Sequence, residues 1–284
     1  MTKTIRRFSI AAAVVAAAGA AATAAAGGPV SDATGTGAVP DVDVAEEGLH
    51  IVLNVAGNRL FVYENGVRTH SYSVSVGLPG YETPGGEYRI REVIWNPWWH
   101  PPNSAWARGR TVERPGPNNP MGRVKLHFSE LYYIHGTPEA EALGDPASRG
   151  CVRMRNSDVI ELTRLVHSYA SPRVNAELLD QLEEAPTMTR TIRLQQPVRF
   201  TAYYEVATVE NGFLIIYPDI YGLVKRELRD QVEHTLEEHG VDLGRVNREH
   251  LERLVEKGGT RRVAISLDTL TAPVVRTDAR SHDR

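Results

Sequence analysis

One cysteine, Cys151, stands in 284 residues, so no disulfide can form within the chain and its stability must come from packing. An unpaired cysteine leaves three accounts open: intermolecular pairing, an inert buried thiol, or a reactive nucleophile. Positive charge is also in short supply. The 32 Lys and Arg face 35 Asp and Glu, a balance that argues against nucleic acid as a partner, because phosphate binding needs clustered cations. Metal-ligand spacing is missing too. There is no C-x-x-C or H-E-x-x-H, and His127, His135 and His167 are scattered, so neither a metal nor another cofactor is expected. No G-x-S-x-G elbow supports a serine enzyme. Beyond the N-terminal region, no stretch is long and apolar enough to cross a bilayer.

The N-terminal region is the exception. In MTKTIRRFSIAAAVVAAAGAAATAAAGG, Lys3, Arg6 and Arg7 precede an Ala-rich apolar run that ends in small residues around Ala24 to Ala26. This is the layout of a secretory signal peptide over residues 1–26, or of an uncleaved anchor. Without Lys3, Arg6 and Arg7 the balance becomes 29 basic against 35 acidic residues, a net charge near −6. Residues 27–48, rich in Gly, Ala, Thr and Asp, read as a flexible linker. The expected destination is outside the cytoplasm, in the periplasm or cell wall, with membrane contact only through a retained N-terminal segment.

From His50 onward, short alternating runs rich in Val, Tyr and Phe are broken by Gly57-Asn58 and Asn65-Gly66, which predicts antiparallel hairpins. Residues 96–120 contain many prolines together with Trp98, Trp99 and Trp106 and read as a long ordered loop. Its tryptophans either bind a ligand or plug a satellite core. Strands are expected at Val124 to Phe128 and Leu131 to His135. A helix is expected from Asn156, with Asn156 as its N-cap and Val159, Leu162, Leu165 and Val166 on its apolar face. After Pro186 the pattern returns to β, with a turn at Asn211-Gly212. Helices are expected around Val224 to Leu236, stopped by Gly240, and over Asn247 to Lys257, followed by a strand at Arg262 to Leu267 and an irregular tail.

A thiol attacks as a thiolate, so a working cysteine needs a base or positive neighbours. His135, at a predicted strand end sixteen residues before Cys151, is the candidate base; Arg149 and Arg153 are the adjacent charges. The Gly150-Cys151 pair permits a sharp turn that aims N–H groups at a developing oxyanion. Sequence alone does not bring His135 to Cys151.

His135-Gly136-Thr137 followed by Ser148-x-Gly150-Cys151-Val152-Arg153-Met154 resembles the signature of L,D-transpeptidases of the YkuD (ErfK/YbiS/YcfS/YnhG) catalytic domain. VLNVAGNRLFVYENG, TPGGEYRI, NPWWHPPNS, PGPNNPMG and PDIYG extend the resemblance over roughly Leu49 to Gly222. It implies a mainly β fold, an L,D-transpeptidase-type β-sandwich with short helices. The catalytic domain would cover 49–195 and a small α+β extension with a tail would cover 196–284.

The resemblance further implies that Cys151 is the nucleophile and His135 its proton acceptor and donor. Gly136, Ser148 and Gly150 would orient the site, while Arg153, Arg149, Trp98 and Trp99 would meet substrate. Arg153 suits a carboxylate, which it can bind in a bidentate fork; otherwise it is a surface arginine. The implied reaction is attack on the third-residue carbonyl of a peptidoglycan tetrapeptide stem with loss of D-Ala. An amine then resolves the acyl-enzyme, giving a 3→3 cross-link or attaching a protein. A thiol carboxypeptidase or endopeptidase, or a non-catalytic wall-binding module, is the alternative. Many members carry histidine where this chain has Arg149, and the expectation is that Arg149 steadies the thiolate and lowers its pKa.

Overall fold

The structure is a computed structural model that describes Val44, residues 47–224 and residues 226–272. The expected signal peptide or anchor, most of the linker and the end of the tail lie outside the described residues. Eight strands make one sheet: β1 (Leu49–Asn54), β2 (Arg59–Glu64), β3 (Val67–Ser73), β4 (Gly86–Trp95), β5 (Val124–Ser129), β6 (Tyr132–Thr137), β7 (Val152–Arg155) and β8 (Arg190–Tyr203). Their spatial order is β3-β2-β1-β8-β4-β5-β6-β7. All neighbours are antiparallel except β1 with β8 and β6 with β7.

The fold is mainly β with few short helices, as expected, and its layers come from a single sheet. Past β3 the chain runs alongside β7: Ser75 and Arg153 exchange N–H to carbonyl bonds of 2.9 and 2.8 Å. This segment therefore covers the outer edge of β7. Inside lie Ile51, Leu53, Leu60, Ile90, Val93, Trp95, Leu126, Ile134, Val152 and Met154, all fully buried. Tight turns between the strands need positive φ, and Asn65-Gly66 supplies it at 51° and 80°.

α1 (Asn156–Ala170) packs on β5 to β8 and buries Val159, Leu162 and Val166. Its capping residue is Arg155, not Asn156 as the sequence suggested. The Asn156 side chain instead accepts from the Arg123 N–H at 2.9 Å. The glycine at 136 makes room for this tertiary use, since a Cβ there would clash with that same side-chain oxygen. α2 (Ala176–Glu184), which the sequence reading did not assign, is capped by Asn175, whose side chain accepts from the Leu178 N–H. Only nine residues long, it offers too few turns for a clear periodic signal.

The boundary expected at 195/196 falls inside β8, which pairs with β4 between Arg190 and Ala202 and, on its other side, with β1 from Arg199 to Tyr203. Beyond it, β9 (Ala207–Glu210), β10 (Phe213–Ile216) and β11 (Val263–Ser266) form a three-stranded antiparallel sheet. With α3 (Leu228–Glu238), α4 (Arg248–Gly258) and α5 (Leu267–Thr271) it encloses a second core of Val206, Leu214, Ile216, Val232, Leu236, Leu251 and Leu270. Asn247 caps α4 as a good N-cap should.

Trp95 is fully buried in the first core, and its indole N–H donates to His167 Nε2 on α1 at 3.1 Å. Burial holds the His167 pKa down, to about 4, so the folded protein keeps this ring neutral while the unfolded chain protonates it near 6.5. The contribution is therefore present above pH 6.5 and is lost as pH falls from 6.5 through 4, by roughly 3 kcal/mol. Urea unfolding of wild type at pH 7 and pH 4.5 should show this loss. His167→Gln, which keeps an acceptor for Trp95, should cut the pH dependence by up to half, since the buried His135 is held equally low, and an unchanged slope would exclude His167 as a source.

Candidate active site

Strand register puts the site together. On β5, β6 and β7 the residues alternate between the core and the opposite face, as the two-residue period of a strand requires. Leu126, Ile134, Val152 and Met154 go inward. The paired positions Lys125 with His135, His127 with Tyr133, and His135 with Arg153 share the other face. Cys151, half-buried, enters that face two residues before Arg153.

His135 and Cys151 feel the same two cations, Lys125 and Arg153. His135 is almost fully buried, and its Nδ1 lies 2.7 Å from the Gly136 carbonyl. A carbonyl can only accept, so Nδ1 carries the proton and Nε2 is left as the basic nitrogen. Burial is the main cause that pushes the His135 pKa down, to about 4; Arg153 and Lys125 lower it too, while the Gly136 bond opposes them. Burial likewise pushes the Cys151 thiol up, against the Tyr133 N–H and the charges of Arg153 and Lys125, which favour the thiolate. The resting pair is accordingly neutral imidazole and thiol.

The cysteine loop is laced in place on both sides. The buried Ser148 hydroxyl donates to the Cys151 carbonyl and accepts from the Gly150 N–H. Gly150 has a φ of 104°, and a Cβ there would meet the Tyr132 ring at 2.6 Å, so glycine is required on both grounds. Gly136, Ser148 and Gly150 thus hold the site through backbone and hydroxyl bonds.

The candidate substrate contacts separate. Arg153 pairs with Glu139 at 3.1 Å and keeps its Nε buried without a partner. The Arg149 guanidinium sits 4.7 Å over both the Tyr81 and Trp106 rings, a favourable cation–π arrangement. The expectation that Arg149 lowers the Cys151 pKa is therefore corrected, since the thiol is raised and its cations are Arg153 and Lys125. Trp99 is 8% exposed, lies under Arg110 and pairs by backbone with Glu113, so it plugs the 96–120 loop. Trp98 stays 47% exposed. Trp106, through Arg149, is the tryptophan tied to the cysteine loop.

Lys125 and Tyr133 escaped the sequence reading. The Lys125 ammonium lies 4.7 Å from the centre of the Tyr133 ring, and its pKa is lowered by burial. The polar alternation of Lys125 and His127 against Val124, Leu126 and Phe128 was the available signal; it became informative only with the register known. Among the described residues no cluster of His, Cys, Asp and Glu fits a metal.

Residues 48–201 match YkuD, the L,D-transpeptidase catalytic domain, and the chain belongs to that family. It is 31% identical over 168 residues to the probable L,D-transpeptidase YbiS of Escherichia coli K12, covering 56% of this chain and 48% of that protein. To the probable L,D-transpeptidase ErfK/SrfK of Salmonella typhimurium it is 30% identical over the same shares. The chain thus spans about half the length of these curated relatives. A solved likeness is the catalytic domain of the Enterococcus faecium L,D-transpeptidase, at TM-score 0.37 and 14% identity, covering 55% of this chain and 98% of that one.

Alkylation of Cys151 by iodoacetamide, followed across pH, tests the electrostatics. The thiol should titrate above the ordinary cysteine value. Lys125→Met should move the midpoint further up and slow alkylation at neutral pH several-fold, because one stabilising charge is removed, whereas Arg149→Ala should leave the midpoint in place. A midpoint shifted by Arg149→Ala and untouched by Lys125→Met would reverse the assignment.

Proposed function

We propose that this chain is an exported L,D-transpeptidase that acts on peptidoglycan stem peptides. The observation that carries the reading is the shared face of β5 to β7, where the thiol of Cys151 and a neutral, tautomer-fixed His135 feel the same two cations. Family membership supports acyl transfer at that thiol.

In this reading Cys151 Sγ attacks the carbonyl of the third stem residue while His135 Nε2 takes the thiol proton. The Cys151 backbone N–H at the Gly150-Cys151 turn holds the oxyanion, the Gly150 N–H being engaged by Ser148. His135 returns the proton to the departing D-Ala amine as the tetrahedral carbon collapses to a thioester. A side-chain amine from a neighbouring stem, deprotonated by the same imidazole, then attacks the thioester, which releases the thiol and leaves a 3→3 cross-link. A wall-attached protein amine is a second acceptor of the same chemistry. Arg153, whose guanidinium rests on the exposed Glu139, would exchange that partner for a stem carboxylate. The basic, Ala-rich N-terminus supports delivery to the periplasm or cell wall.

Purified protein incubated with a disaccharide-tetrapeptide should yield cross-linked dimers by mass spectrometry. Cys151→Ala should abolish them and His135→Gln should slow them by about 10²- to 10⁴-fold. Because His135 titrates near 4 in the folded protein, activity in wild type should persist well below pH 6 and fall only as pH approaches 4. Tripeptide alone would make water the acceptor and the protein a carboxypeptidase; no product with wild type would favour a wall-binding module.

A further inference from the structure

Tyr221 belongs to the PDIYG segment, twenty residues beyond the matched catalytic domain, yet its hydroxyl reaches the support of the cysteine loop. It donates to the Gly77 carbonyl at 2.9 Å and accepts from the Thr83 N–H at 3.1 Å. Thr83, buried, in turn accepts from the Gly77 N–H through Oγ1 and donates to the Gly150 carbonyl, both at 2.9 Å. From Tyr221 to the peptide that precedes the nucleophile there are two hydrogen-bonding side chains.

The segment that carries Tyr221 is itself held firmly. Asp219 accepts from the N–H groups of Leu223 and Val224 and from the Tyr204 hydroxyl. The Tyr204 oxygen also accepts from the Tyr221 N–H at 3.0 Å, and the two rings stack with centroids 5.4 Å apart. The turn at Gly77 is equally tight, since a Cβ there would lie 1.9 Å from the Tyr81 carbonyl oxygen.

Geometry gives this chain of bonds a consequence at the reacting atom. The Gly150-Cys151 peptide is trans, and in a planar trans peptide the C=O and N–H point in opposite directions. Fixing the Gly150 carbonyl on Thr83 therefore fixes the Cys151 N–H on the far side, the direction from which it can bind an oxyanion. We infer that Tyr221, contributed by the C-terminal extension, is a positioning residue that works through Thr83 to aim the Cys151 N–H at the transition-state oxyanion. The extension is then part of the acyl-transfer apparatus, and this inference rests on the acyl-transfer reading above.

Two reagents that meet the same thiol separate this role from a general structural one. A carbapenem acylates through a tetrahedral oxyanion, whereas iodoacetamide alkylates by direct displacement and forms none. Complete loss of an oxyanion donor costs about 10²- to 10³-fold; acting at one remove, Tyr221→Phe should slow carbapenem acylation about tenfold and leave the alkylation rate and its pH profile within about twofold. Turnover of the disaccharide-tetrapeptide should show the loss in kcat, with KM little changed. Thr83→Val should reproduce the defect and Thr83→Ser should restore most of it. Tyr221→Phe combined with Thr83→Val should be no worse than the poorer single variant, as expected for two links in one chain. Equal slowing of acylation and alkylation would make Tyr221 merely structural, and unchanged acylation would also overturn the inference. Wild type that carbapenem fails to acylate would overturn the acyl-transfer reading together with it.

Discussion

The exchange of backbone bonds between Ser75 and Arg153 is the constraint on which the rest of the structure depends. It joins the chain leaving β3 to β7 and so covers the edge that β7 would otherwise present. With β7 held between this segment and β6, Val152 and Met154 are committed to the core, and by strand alternation Cys151 and Arg153 are committed to the other face. A slip of one residue would bury the arginine and turn out two apolar side chains. The fold's energy therefore enforces the placement of Cys151.

The electrostatics of that face follow from burial winning over charge. Two cations beside a thiol would ordinarily create a thiolate, yet desolvation opposes the charged form of Cys151 and of His135. Lys125 is itself desolvated and draws on Glu92 as well as the thiol. What results is a resting state in which both groups are neutral. A sulfur kept protonated at rest is also less prone to oxidation, since the thiolate is the oxidisable form, a useful property for a chain with one cysteine and no partner for it.

The extension has its own core and its own sheet, but its boundary with the catalytic domain is not a clean cut. β8 runs unbroken between β1 and β4 and delivers Tyr203 and Tyr204 directly to the junction. Ala56, from the turn between β1 and β2, joins the second core, and a Cβ on Gly57 would press on the Tyr217 ring at 3.1 Å. Tyr221 sits in this joined region, which explains how a residue far from Cys151 in sequence takes part in holding its loop.

Much of the architecture was legible in the sequence. Alternation of apolar residues, Asn-Gly turns and N-capping asparagines are local features, and local sterics and hydrogen bonding decide them; β2, β3, α3, α4 and β11 fell close to their expected places. Cys151 and His135 stood out because few side chains can do nucleophilic and base chemistry. Which charge faces the thiol, however, is a matter of contacts across the sheet. Arg149, next to Gly150 in sequence, turns to Tyr81 and Trp106, while Lys125, twenty-six positions from Cys151, lies on its face. Asn156 gave up its cap to serve Arg123, and the boundary at 195/196 dissolved into one strand, for the same reason: pairing partners distant in sequence override local preference. The sequence by itself determined the elements and the reactive residue types. Only the tertiary structure decided the register that aligns His135 with Arg153, the desolvation that keeps both reactive groups neutral, and the Tyr221–Thr83–Gly150 link, because each is a property of distance in space.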